Sequence, residues 1–287
     1  MLWMFNITEY KFDLNELSTD RPWDALLCPT IIGMDLERAL VRPVPATFAQ
    51  ALVRNGNRHL NTTLAVEQHQ TYQQQLSKSG YTLFEVPTDD RCPDCVFVED
   101  TAVIIGSVAM VTRPGARSRR PETGPVAAAL QSHMPTFAVT EPGTIDGGDV
   151  FISGRTVYVG RSQRTNGEGI EQLRRISATQ GLEVVTVGVY DTLHLKSAVL
   201  PVGGETVVVT PNSVEEEQLN GLHVMFEDET ERFRFSALPL RDGRLLVTEN
   251  SPRTAAKLES AGFDVVAIDI SELQAADGGL TCLSIIF

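Results

Sequence analysis

The residues with reactive chemistry are few and widely spaced. Cys282 closes the stretch Asp277-Gly-Gly-Leu-Thr-Cys282, and the apolar run behind it, Leu283–Phe287, reads as a short buried strand. The two glycines let backbone approach a ligand closely. A thiol at the mouth of a strand can serve as a nucleophile, although a buried structural cysteine is the commoner fate of a free thiol. His194 sits between leucines in Thr192-Leu-His-Leu-Lys-Ser197, the setting of either a core histidine or a general acid/base. Asp94, Glu99 and Asp100 fall in Asp94-Cys-Val-Phe-Val-Glu-Asp100, whose alternation predicts a strand bracketed by carboxylates. Three acids at one pocket mouth repel unless a cation joins them; solvated strand ends are the plainer reading. Thr144-Ile-Asp-Gly-Gly-Asp149 sets two glycines between acids, as an ordinary turn or a tight polar site. Thr112-Arg-Pro-Gly-Ala-Arg-Ser-Arg-Arg120 carries four arginines, and Arg164 adds another in Ser162-Gln-Arg-Thr-Asn166. Guanidinium pairs with carboxylate through two parallel bonds, whereas a solvated basic loop needs no ligand.

Each signal alone is modest. Together they supply a thiol, a histidine, an acid to hold it, acids for a cation and arginines for a carboxylate. A substrate with a guanidinium at one end and an α-carboxylate at the other fits that set, and arginine is such a molecule.

The elements that must position these residues repeat. Hairpin turns are expected at Gly106-Ser107, Ser153-Gly-Arg155, Gly203-Gly204 and Asp242-Gly243. Helices are predicted over Val66–Lys78, around Pro125–His133, over 168–179, over Val214–Asn220 and over 253–261. Each leads to a returning strand: Tyr81–Val86, Phe137–Val139, Leu182–Val189, Leu222–Phe226 and Phe263–Ile268. A strand or hairpin, a helix and a strand thus recur about five times, at a period of roughly 40–50 residues that argues for a propeller-like repeat. A doubly wound nucleotide fold is disfavoured, because no GxGxxG or Walker-type loop follows the first strand.

Composition narrows the class further. The chain has 287 residues, 42% of them apolar, with a net charge of −13. That charge disfavours nucleic acid and anionic membrane as partners, since both need a basic footprint. No apolar stretch is long enough to cross a bilayer, and Met1–Asp20 lacks the form of a secretory signal, so a cytoplasmic protein is expected. Cys92-Pro-Asp-Cys95 is a CxxC, but no second pair completes a zinc site and no thioredoxin-like unit surrounds it. Residues 1–36 read as an N-terminal extension of unknown role.

The stretches DCVFVED (94–100), TRPGARSRR (112–120), IDGGDV (145–150), RTN (164–166), LHLKS (193–197) and DGGLTCLS (277–284) resemble the dimethylarginine dimethylaminohydrolase family of the pentein, or guanidino-group-modifying, superfamily. Their order and spacing are family-like, and the resemblance runs from about Arg38 to Phe287. It implies a five-bladed α/β propeller with pseudo-fivefold symmetry, so that 37–287 form a single pentein catalytic domain. It implies Cys282 as nucleophile, His194 as general acid/base and Asp146 as the residue that orients the histidine. It implies Asp94, Glu99, Asp100 and Asp277 as substrate-cation contacts and Arg119 and Arg164 as carboxylate anchors. Leu52 matches a lid position, and Ala276 one that meets substrate through its backbone. The expected partner is a small-molecule methylated arginine, the expected assembly a monomer or homodimer. No metal or cofactor is required, though zinc is a possible inhibitor at Cys282. Arginine deiminase or amidinotransferase chemistry is the alternative, and a silent arginine-binding protein a more distant one. The sequence departs from the family pattern over 221–240, where the Asn-Cys-type segment is missing from Phe235–Leu240.

Overall fold

A computed structural model of the chain describes residues 36–54, 59–232 and 234–287. The expected N-terminal extension, 1–36, lies almost wholly outside the described residues. Among them, fifteen strands form five three-stranded sheets, each an antiparallel pair with a third strand added in parallel. The ring of five α/β blades is the expected propeller.

In the first blade β1 (Arg38–Val41) leads through α1 (Thr62–Lys78) to β2 (Thr82–Glu85), which pairs with β1 in parallel. The Asn61 side chain caps α1 by accepting from the Leu64 amide at 3.1 Å, so the helix starts ahead of the expected Val66. Tyr72 and Leu76 point into the core, as their spacing predicts. The second blade holds the hairpin β3 (Ala102–Ile105) and β4 (Val108–Val111), then α2 (Thr123–Gln131) and β5 (Thr136–Ala138). The third repeats it with β6 (Val150–Ser153), β7 (Thr156–Arg161), α3 (Gly167–Thr179) and β8 (Glu183–Gly188). The fourth has β9 (Val199–Gly203), β10 (Thr206–Val209) and β11 (His223–Phe226). The fifth has β12 (Ala237–Pro239), β13 (Leu245–Thr248), α4 (Pro252–Ser260) and β14 (Val265–Ile268). The short helix α5 (Ser271–Ala275) and β15 (Ser284–Ile286) follow.

The ring closes through its ends. β15 pairs antiparallel with β1, Ala39 opposite Ile286 and Val41 opposite Ser284, so the first blade takes its innermost strand from the end of the chain. The middle strands β4, β10 and β13 are apolar runs because neighbouring blades and helices cover both faces. No helix among the described residues is long and apolar enough to cross a membrane.

Two local expectations fail. The predicted helix over Val214–Asn220 is a single 3-10 turn, Glu216–Leu219. So short a segment cannot recover the cost of helix nucleation, and only Leu219 offers it a buried anchor. The predicted strand in Asp94–Asp100 is a run of turns ending in a 3-10 turn, Val98–Thr101. Cys95, Val96, Phe97 and Val98 are all buried, so the segment plugs the ring with every side covered, and alternation carried no strand information there.

Candidate active site

Four blades present the same feature at the ring centre. Immediately before the innermost strand the chain makes one 3-10 turn: Val98–Thr101 before β3, Gly147–Asp149 before β6, Leu195–Ser197 before β9 and Thr281–Leu283 before β15. Pseudo-symmetry therefore converges four distant motifs, bringing Glu99 and Asp100, Asp146 and Asp149, His194 and Lys196, and Cys282 around one axis. The glycine pairs make the convergence possible. A Cβ on Gly147 would stand 2.0 Å from the Glu99 carbonyl oxygen, and one on Gly278 would stand 2.1 Å from the Phe97 ring.

Cys282 and His194 line two adjoining cavities, one of about 270 Å³ and one of about 600 Å³. Asp146 lies fully buried behind the histidine. Its Oδ2 meets His194 Nε2 at 3.0 Å and Arg164 Nη1 at 3.3 Å, while Oδ1 accepts the Gly115 amide at 2.8 Å. Burial acts to lower the His194 pKa, but the carboxylates of Asp100, Asp146 and Asp149 outweigh it and raise it to about 9. The ring is therefore an imidazolium at neutral pH. The Cys282 thiol is pushed well above its usual range, first by burial and then by the Glu99 and Asp100 carboxylates. The Gly279 amide donates to its sulfur at 3.3 Å. Before a ligand binds, the proton stays on the thiol.

The smaller cavity gathers most of the remaining expected residues: Leu52, Asp94, Asp100, Arg119, Arg164, Ala276 and Asp277. Glu99 lines the larger one. Each expected cation contact already holds a donor from the chain. Asp94 accepts the Leu52 amide at 2.9 Å, and Asp277 accepts the Arg54 amide at 2.5 Å. Glu99 is paired with Lys196 Nζ at 2.5 Å and accepts the Thr281 hydroxyl at 3.0 Å. Asp100 accepts the Gly148 amide at 2.9 Å and binds Arg119 Nη1. The clustered acids demand a cation, and Lys196 and Arg119 supply that charge from within.

Arg119 departs from the role of an open anchor. It is buried, its Nε and Nη2 donate to Glu122 and to the carbonyls of Phe97 and Asp94, and Nη1 goes to Asp100. Little of its fork remains for a ligand. Arg164, partly exposed, commits only Nη1, to Asp146, among the described residues. Leu52 is 43% exposed at the cavity edge, as a lid residue would be, and Ala276 is buried in the wall.

Sequence reasoning passed over several contributors. Asp149 accepts the Leu195 amide at 2.9 Å and the Ser162 and Thr165 hydroxyls at 2.6 Å, fixing the backbone that carries His194. Glu122 holds Arg119, and its spacing of three residues was the available signal. Burial raises Glu122 to about 7 even against Arg119. Lys196 stood inside a recognised motif without an assigned role. Arg54, whose Nη1 donates to the Asp191 carbonyl at 2.9 Å, ties the loop after β1 to the His194 loop, and nothing in its sequence context announces this.

A half-buried thiol, a charged imidazole held by a buried acid and a central cavity inside five α/β blades define a hydrolase of the pentein superfamily. Comparison with known proteins narrows this. The family model for eukaryotic N,N dimethylarginine dimethylhydrolase matches residues 45–230. The N(G),N(G)-dimethylarginine dimethylaminohydrolase of Streptomyces coelicolor is 39% identical over 254 residues, covering 88% of this chain and 97% of that one. The Pseudomonas aeruginosa enzyme of the same name is 32% identical over 225 residues, 78% of this chain and 88% of its own. A solved structure of a Pseudomonas aeruginosa cysteine-to-serine mutant complexed with citrulline superposes with a TM-score of 0.83 at 28% identity, covering 88% and 99% of the two chains. An arginine dihydrolase domain from cyanobacteria shares the fold at a TM-score of 0.78 and 20% identity, covering 87% of this chain and 96% of that one. The chain belongs to the dimethylarginine dimethylaminohydrolase family.

Proposed function

We propose that residues 37–287 act as one catalytic domain that hydrolyses Nω-methylated arginines, asymmetric dimethylarginine and monomethylarginine, to citrulline plus dimethylamine or methylamine. The observation that carries this reading is that Cys282 and His194 line one cavity, with His194 held by Asp146 at 3.0 Å. The guanidinium enters beside Asp100, Asp94 and Asp277, and the substrate carboxylate pairs with Arg164, seconded by Arg119. Leu52 covers the substrate, and the Ala276 backbone contacts it. The arriving cation favours the thiolate of Cys282, whose proton leaves to solvent. Sulfur attacks the guanidinium carbon, His194 gives its proton to the departing amine, and a thiouronium remains on Cys282. His194 then takes a proton from water, which attacks and releases citrulline.

The test measures dimethylamine, ammonia and citrulline released from dimethylated and plain arginine. Dimethylamine with citrulline is the expected pair; ammonia from plain arginine as the dominant product would move the reading to arginine deiminase. In Cys282→Ser turnover should vanish while ligand still binds. His194→Gly should accumulate a covalent adduct on Cys282, visible by mass.

A further inference from the structure

The larger cavity has more room than the proposed reaction needs. Its volume of about 600 Å³ falls in the range of sites for drug-sized ligands, whereas the methylated nitrogen adds only one or two methyl groups. It opens from Cys282 and His194 toward the fourth and fifth blades, away from Arg164 and Arg119. A substrate whose carboxylate pairs with Arg164 and whose guanidinium carbon lies at Cys282 projects its ω-nitrogen substituents into this space.

The lining has a distinct chemistry. Arg232 and Arg234 stand on the wall formed by the segment before β12, with Asn250 and Gln274 lining the same cavity, and Arg232 Nη2 already donates to the Ser213 hydroxyl at 3.4 Å. The two amides are ordered: Asn250 Nδ2 donates to Gln274 Oε1 at 2.7 Å, and Gln274 Nε2 donates to the Arg234 carbonyl at 2.7 Å. Ser236 offers a hydroxyl whose oxygen already accepts the Leu280 amide at 2.8 Å. Three acids also line the cavity. Glu99 is paired with Lys196 and Asp277 accepts the Arg54 amide, while Asp191 stands exposed and holds Arg54 through its carbonyl. The charges of Asp191 and Asp277 lie on the opposite side, so the cationic groups of this cavity's far wall are those of the segment before β12, with Arg234 the foremost. That wall also lies in the segment where this sequence departs from the family pattern.

We propose that this cavity is a subsite for an anionic substituent on the ω-nitrogen, so that the enzyme accepts Nω-(carboxyalkyl)arginines as well as methylated ones. The proposal rests on the substrate orientation given under Proposed function. Hydrolysis of such a compound balances in the same way. The bond between the guanidinium carbon and the substituted nitrogen breaks, His194 supplies the proton to that nitrogen, and water supplies the oxygen of citrulline. For an Nω-carboxymethyl group the departing amine is glycine.

The decisive measurement is binding, made on Cys282→Ser so that it does not depend on turnover. Calorimetry compares Nω-carboxymethylarginine with the neutral Nω-propylarginine. The acid should bind roughly tenfold tighter, the size of one charge-assisted contact at a partly exposed site. Adding Arg232→Ala and Arg234→Ala should bring the two ligands within about twofold of each other, and Arg234→Lys alone should retain most of the preference. Equal or weaker binding of the acid, or a preference that survives removal of both arginines, would overturn the subsite. Failure of the wild-type protein to release citrulline from dimethylarginine would sink the proposed reaction and leave the binding comparison intact.

Discussion

Replacing Asp146 by asparagine tests how the histidine is made competent. Asp146 contributes charge and orientation, and the two are separable in magnitude. The rise of His194 from 6.5 to about 9 corresponds to ~3 kcal/mol of preference for the charged ring. Asp146 raises the ring both by its hydrogen bond and by its charge, beside Asp100 and Asp149, so loss of the Asp146 charge should lower the ring's pKa while the other two carboxylates keep part of the rise. Orientation is the larger effect. Both Asp146 oxygens accept, one from Gly115 and the other at His194 and Arg164. An amide has one accepting end, so its NH₂ must face a donor on one side. If the NH₂ faces His194, the imidazole has to present a lone pair there and its proton moves to the other nitrogen. The equivalent carboxylate-to-amide change in serine-protease triads costs ~10⁴-fold in kcat. We expect Asp146→Asn to lower kcat by ~10³–10⁴-fold on the same ground. The assay is citrulline formation from dimethylarginine between pH 6 and 10.5. In the wild type the alkaline limb should fall near 9, as the imidazolium loses its proton; in the variant it should move to lower pH. A variant with kcat within threefold of wild type and an unmoved limb would refute the reasoning.

Other outcomes follow from packing and charge. Glu122→Ala removes one of the two carboxylates that hold the buried Arg119 guanidinium, leaving Asp100, and should cost ~1–3 kcal/mol, read as a fall in denaturation midpoint without a change in slope. Gly278→Ala places a methyl 2.1 Å from the Phe97 ring and should destabilise by ~3 kcal/mol or more while also reducing kcat, because the same backbone carries Asp277. Glu231 accepts the Arg253 and Thr254 amides at 2.8 Å at the start of α4, so Glu231→Ala should cost ~1–2 kcal/mol in thermal unfolding and leave dimethylarginine turnover intact. His194, with its folded-state value raised, adds stability that is fully present below 6.5 and lost as pH rises through about 9; His194→Gln should flatten that part of the stability curve.

The repeat was legible because its punctuation is local. Glycine-containing turns at 106, 154, 203 and 243 need a left-handed residue, and each of these glycines has a positive φ. The first blade's inner strand was visible as a strand but not as a partner of β1, since that pairing joins opposite ends of the chain. Cys282, His194 and Asp146 were recognisable once six motifs were taken together. The partners of the acids were not, because Lys196 reaches Glu99 from another blade and Arg119 reaches Asp100 from 19 residues further on, at spacings that no local periodicity marks. The Asp94–Asp100 stretch misled because its apolar residues serve a plug and not a pleated surface.

Closure of the ring through β15 and β1 also ties the proposed chemistry to completion of the fold. Cys282 lies two residues ahead of the strand that completes the first blade, so the proposed nucleophile is placed by the pairing that joins β1 to β15. During synthesis His194 and its acids are made long before the thiol exists, and β1 waits with one edge unpaired. On the proposed mechanism, turnover in a population of molecules counts the rings that have shut, which makes the reaction itself an assay of completed folding.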